Sequence, residues 1–136
     1  MARSAAIRRN TKETRITLRI NLDVRGKPEI STGIPFFNRM LDLVTRHGGF
    51  DLNSKATGDL DAGQHHRVGD VGIALGEAVA SALGNRRGIK QARYLSIPMV
   101  ETLGMVAIAF GGRPHSVEKA RFSAARTCGC RCFRGC

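Results

Sequence analysis

Tryptophan is absent from this 136-residue chain and tyrosine occurs once. An aromatic platform for stacking nucleic-acid bases is therefore not expected. No apolar run approaches the about 20 residues of a membrane-spanning helix. The basic opening, Met1 to Lys12, is not followed by an apolar stretch. It therefore does not read as a secretory signal, and a cytoplasmic location is expected. Cysteine is missing until Cys128 and then recurs at Cys130, Cys132 and Cys136. Four cysteines crowded at one end are not a disulfide framework. The spacing C-x-C-x-C-x3-C also lacks the second ligand pair of a structural zinc site, and His115 is a remote candidate for an extra ligand. Residues 116–136 are expected to form an irregular Cys/Arg-rich tail.

Acidic residues are scarce: 11 against 22 Lys and Arg, for a net charge of +11. Such an excess suits a polyanionic partner. Its distribution points to basic ends instead. Arg3, Arg8, Arg9 and Lys12 stand at the start, and Lys119, Arg121, Arg126, Arg131 and Arg134 follow Glu118, the last acid. Nucleic acid is thus not the expected partner, though a basic binding module for nucleic acid or another polyanion stays open as the alternative reading.

Apolar residues make up 42% of the chain, enough for one core. Between Arg15 and Val24, Ile16, Leu18, Ile20, Leu22 and Val24 alternate with polar residues, the period of a half-buried strand. Arg25-Gly26-Lys27-Pro28 reads as a turn, and Glu29–Thr32 as a short returning strand. Pro35 suits the first turn of a helix. Phe36, Phe37, Met40, Leu41 and Val44 supply that helix's apolar face, and Gly48-Gly49 ends it. Phe50–Ala56 reads as a strand and Gly58–Gln64 as a polar loop. A second helix fits His65–Leu83, with Val68, Val71, Leu75, Val79 and Leu83 on one face. Arg93–Val100 and Gly104–Phe110 read as a strand hairpin turning near Glu101-Thr102. The two late strands look like the start of a second copy of the first unit whose helices are missing, so either another chain covers them or the fold is marginal.

The chemistry concentrates at His65-His66, after the acidic loop Gly58-Asp59-Leu60-Asp61. Adjacent side chains on a helix leave the axis about 100° apart, so the two histidines could face different metal sites. A carboxylate four residues after His65 would complete a ligand pair, but that position is Gly69. Asp70 lies four after His66 and could orient it. Two surface histidines at a helix start are the plain alternative.

Several ordered strings resemble the imidazoleglycerol-phosphate dehydratase family. They are Thr11-Lys12-Glu13-Thr14, Thr32-Gly33-Ile34-Pro35-Phe36, Met40-Leu41-Asp42, His47-Gly48-Gly49-Phe50-Asp51-Leu52, Gly58-Asp59-Leu60, His65-His66, Asp70 to Gly76, Pro98-Met99, Glu101 and Gly112-Arg113-Pro114. The resemblance runs from about Arg8 to Pro114. It implies an α+β sandwich of similar half-repeats, the second incomplete here. Residues 1–115 would form the dehydratase-like domain, with a first half-repeat over about 10–90 and a partial second over about 91–115.

The resemblance also implies a manganese-dependent carbon–oxygen lyase of histidine biosynthesis that removes water from imidazole glycerol phosphate. It implies a homo-oligomer, or co-assembly with a full-length subunit. Carried over by position, Glu13, His47, His65, His66 and Arg113 would meet substrate, and His65 and His66 would hold metal. Asp70 and Glu101 are retained as well. Other family positions depart. Arg39 replaces a histidine ligand, Asn38 an aspartate, Gly69 the glutamate of a His-His-x-x-Glu motif, Gln91 a substrate arginine and Val100 an aspartate. The later ligands of the second half-repeat would lie beyond Cys136. Impaired catalysis is therefore expected.

Overall fold

A computed structural model describes residues 3–24, 26–58 and 64–119. In chain order the elements are β1 (Ser4–Asn10), β2 (Thr14–Asn21), β3 (Pro28–Ser31), α1 (Pro35–Gly48), β4 (Asp51–Gly58), α2 (Gln64–Leu83), β5 (Ala92–Met99) and β6 (Thr102–Ala109). They divide into two compact units, one running through Gly84 and the other from Asn85.

In the first unit the sheet order is β1-β2-β4-β3. β2 pairs antiparallel with both β1 and β4, while β3 runs parallel to β4. A parallel pair needs a crossover rather than a tight turn, and α1 provides it. The alternation along β2 puts Ile16, Leu18 and Ile20 on one face, each 2% exposed or less. Leu52, Ser54 and Ala56 of β4 continue that face. Burying aliphatic side chains of this size contributes about 1.5–3 kcal/mol each.

α2 lies on β1 and β2, and α1 lies on β3. The buried stripe of α2 is Arg67, Val71, Ala74, Ala78 and Ala82. This corrects the expected face. Val71 is central, but Leu75 and Val79 pack only at its flank, and Val68 and Leu83 are half-buried. Alanines let the helix sit close on the branched residues of β2. In α1, Leu41 and Thr45 are buried, whereas the expected core residues Phe36 and Val44 are each 50% exposed. Gly49 caps α1 in the left-handed region at φ 68°, donating its N–H to Thr45 O, a position that glycine takes without strain.

β1 was not expected: its stretch had read as a basic end. Ala5, Ile7 and Arg9 face inward along it, opposite Ile20, Leu18 and Ile16 of β2. β2 itself ends at Asn21, three residues earlier than the alternation suggested. Part of the expected turn (Arg25), most of the polar loop (59–63) and most of the tail, with all four cysteines, lie outside the described residues.

The second unit is the antiparallel hairpin β5–β6, in register from Ala92↔Ala109 to Met99↔Thr102. The chain reverses at Val100-Glu101, with Val100 held at φ 52°. No helix among the described residues is long and apolar enough to cross a membrane.

Candidate functional site

The candidate site is built around the first turn of α2. His65 and His66 are both exposed, and their rings lie against each other, with centroids 4.0 Å apart and planes tilted by 38°. The two rings lie together rather than pointing about 100° apart as bare helix geometry suggests. Gly69 follows one turn later, and a Cβ there would meet nothing within 4 Å.

Beside the histidines stands Arg67, which is 4% exposed. Its Nη1 donates to Thr32 O at 2.9 Å, and its Nη2 donates to Gly58 O. Nε is buried without a partner among the described residues. One guanidinium thus ties the start of α2 to the β3–α1 loop and to the end of β4. Thr32, fully buried, passes the connection onward. Its N–H and its hydroxyl both donate to Asn38 Oδ1, at 2.9 and 2.6 Å. An amide oxygen accepts these bonds as a carboxylate would. Asn38, where the family resemblance implies an aspartate, therefore keeps an acceptor at the start of α1. Arg39 follows it, exposed.

A second network fixes the β1–β2 turn against α2. Thr14 Oγ1 donates to Asp70 Oδ2 at 2.6 Å, and Arg9 Nε donates to Asp70 Oδ1 at 3.2 Å. Thr11 Oγ1 accepts from the N–H groups of Thr14 and Glu13 and pairs with the Thr14 hydroxyl at 2.8 Å. With its two oxygens engaged by β1 and β2, Asp70 anchors the helix to the sheet rather than orienting His66. Glu13 is held by its backbone in this turn, its side chain exposed at a cleft of about 580 Å³ shared with Thr11, Thr14, Thr57 and Gly58. Gly58 is required there. Its φ is 151°, and a Cβ would lie 2.1 Å from Glu13 O.

The turn that carries Glu13, the start of α1 at Asn38 and the first turns of α2 are therefore linked through Gly58, Thr32, Arg67 and Asp70. His47 is not part of this group. It lies in the last turn of α1, eight residues from Arg39, or about 12 Å along a helix axis. In the second unit Gln91, Glu101, Arg113 and His115 are exposed. Gln91 accepts the Phe110 N–H at 2.9 Å and so closes the base of the hairpin. Among the described residues no three His, Cys, Asp or Glu side chains gather into a metal-binding group. Sequence reasoning missed Arg67 and Thr32. The available signal was position: Arg67 is four residues before Val71, on the inner stripe of α2.

The fold and these linked residues define an α+β domain that carries paired imidazoles at a helix start tied by hydrogen bonds to the β1–β2 turn. Residues 32–132 match the family described as imidazoleglycerol-phosphate dehydratase, and the chain belongs to that family. The match continues past Pro114, where the recognised strings stop.

The dehydratase of Koribacter versatilis is 54% identical over 111 residues, which is 82% of this chain and 57% of that protein. That of Methanospirillum hungatei is 50% identical over 121 residues, covering 89% and 63%. The crystal structure of the dehydratase from Staphylococcus aureus superposes with a TM-score of 0.71 at 30% identity, over 88% of this chain and 68% of that one. The structure from Pyrococcus furiosus, in complex with (S)-C348, gives 0.63 at 31% identity, over 85% and 63%. The chain thus spans about three fifths of the length of these two curated relatives.

Proposed function

We propose that this chain is a dehydratase-family scaffold that does not, by itself, dehydrate imidazole glycerol phosphate. The observation that carries the reading is the donor set at the α2 start. In the family pattern, His65 or His66 would share a manganese ion with a carboxylate at position 69 and an imidazole at position 39. Here position 69 is Gly, with open space where a side chain would stand. Position 39 is Arg, whose guanidinium has no lone pair to give and does not deprotonate.

The residues present therefore do not fit the manganese that the family implies. Divalent manganese favours imidazole together with carboxylate oxygen, and at the positions the family resemblance implies this chain offers two imidazoles, a glycine and an arginine. A guanidinium about 4 Å from a dication would be repelled by several kcal/mol at an effective dielectric near 20. The scaffold around the gap supports a family origin, since Thr32, Asn38, Arg67 and Asp70 remain hydrogen-bonded. A homo-oligomer or a complex with a full-length subunit is the setting in which such a chain could still contribute to a shared site, and the cytoplasm is the compartment this biosynthetic family suggests.

The test is a manganese titration followed by elemental analysis after gel filtration. The chain should retain no stoichiometric manganese at micromolar concentration, whereas Arg39→His with Gly69→Glu should bind it. Tight binding of one or two ions per unmodified chain would overturn the reading.

A further inference from the structure

The face of the four-stranded sheet turned away from α1 and α2 carries a compact group of cations. Antiparallel pairing sets Arg8 of β1 opposite Thr17 of β2, and Thr17 opposite Lys55 of β4. Arg15 and Arg19 precede and follow Thr17 by two residues on the same strand. All five residues are exposed. With strands about 4.8 Å apart and about 3.4 Å per residue along each, the four cations form a diamond centred on Thr17. It spans about 14 Å along β2 and about 10 Å across.

None of the four forms an ion pair among the described residues, where the pairs are Arg3–Asp23, Arg9–Asp70 and Arg46–Asp42. The remaining positions around the diamond are uncharged: Asn10 and Thr57 flank Arg15, and Ala6 and Asn53 flank Arg19. Carboxylates border this face at both ends: Glu13, exposed beside Arg15 and Thr57, at one, and Glu29 and Asp51, both hydrogen-bonded, at the other. Glu29 accepts from Asn53 Nδ2, and Asp51 Oδ1 accepts from the Lys27 N–H at 2.7 Å.

We infer that this face binds the phosphodiester backbone of nucleic acid, without reading its sequence. Arg8 of β1, with Arg15 and Arg19 of β2, is thus part of an exposed sheet face rather than a trailing end. One strand of duplex presents a phosphate per about 3.4 Å of axis, so about four fall along the length of the diamond. Three of the four cations are arginines, whose fork pairs two phosphate oxygens at once. Thr17, Thr57, Asn10 and Asn53 add the neutral donors common in backbone contacts. Among the described residues of the sheet no aromatic side chain lies on this face, so bases are not stacked.

The experiment is fluorescence anisotropy of the full chain with a labelled random-sequence DNA duplex of about 20 base pairs. Four neutralised phosphates predict a log–log salt slope near −3.6, or about 150-fold weaker binding at 200 mM than at 50 mM salt. Replacing Arg8, Arg15, Arg19 and Lys55 by Gln should weaken binding at 50 mM about 30-fold or more and flatten the slope. Thr17→Glu, one exposed change at the centre, should weaken it about 10-fold and carries the test if the quadruple variant does not fold. A matched control replaces Arg86, Arg87, Lys90 and Arg93 by Gln, removing the same charge elsewhere, and should stay within about threefold of the parent. Three results would overturn the inference: no binding at 50 mM salt, equal loss in the control, or competition by polyglutamate as effective as by unlabelled DNA. The last would mark the face as a site for acidic protein.

Discussion

Replacing Arg67 by Met tests whether the buried guanidinium holds the start of α2 in place. Methionine fills much of the same volume but leaves two acceptors, Thr32 O and Gly58 O, without the donors they now have. A buried polar group left unpaired costs about 1–3 kcal/mol. Removing the charge also removes its own desolvation penalty, and Nε already lacks a partner, so part of the loss is returned. The net expectation is a destabilisation of about 2–4 kcal/mol, or roughly 10–25 °C in Tm for a domain of this size. Urea unfolding followed by circular dichroism measures it, with the m-value unchanged if only stability has shifted. Arg67→Lys, which keeps a charge but reaches one carbonyl rather than two, should fall between parent and Met. A Met variant within about 0.5 kcal/mol of the parent would refute the reasoning, because it would mean that water satisfies both carbonyls.

Gly58→Ala should cost more than about 2 kcal/mol in the same urea assay, because its Cβ would strike Glu13 O across the β2–β4 pair. Val100→Asn should stabilise the β5–β6 turn by about 1 kcal/mol, since a β-branched residue at positive φ is strained and Asn tolerates it. Amide exchange in the hairpin would then slow about fivefold. The hydrogen bonds and charge of Arg3 lower the Asp23 carboxyl below its ordinary 3.8. A depressed folded value means that this pair's contribution is complete above pH 3.8 and disappears as pH falls through the folded value. The pair is exposed, so its effect should be small and fade with salt. Asp23→Asn should reduce the acid dependence of unfolding without altering stability slopes above pH 6.

Much of this fold is legible in the sequence because a period of two or of 3.6 is carried by large aliphatic residues. β2, α1 and the hairpin announce themselves in that way. β1 does not, because Ile7 is its one large aliphatic residue and the inward position beside it belongs to Arg9, whose purpose is visible only with Asp70 in place. The face of α2 is misjudged for a related reason. Its contact stripe is alanine, and size-weighted reading favours Val68 and Leu83 instead. At the site, the paired histidines can be read from the sequence, as can Arg39 and Gly69 at the positions where the family resemblance implies a histidine and a glutamate. The Arg67–Thr32–Asn38 connection joins residues up to 35 apart, and no local pattern encodes it. The meeting of the two imidazole rings is likewise a choice of rotamer that spacing alone does not determine.

The central claim is that this chain lacks a catalytic donor set of its own. Steady-state dehydration of imidazole glycerol phosphate by the purified chain, with manganese in excess, tests it most directly. The account predicts no turnover above the metal-only control, while a full-length dehydratase from a relative is active in the same assay. Manganese-dependent turnover by the unmodified chain would contradict it.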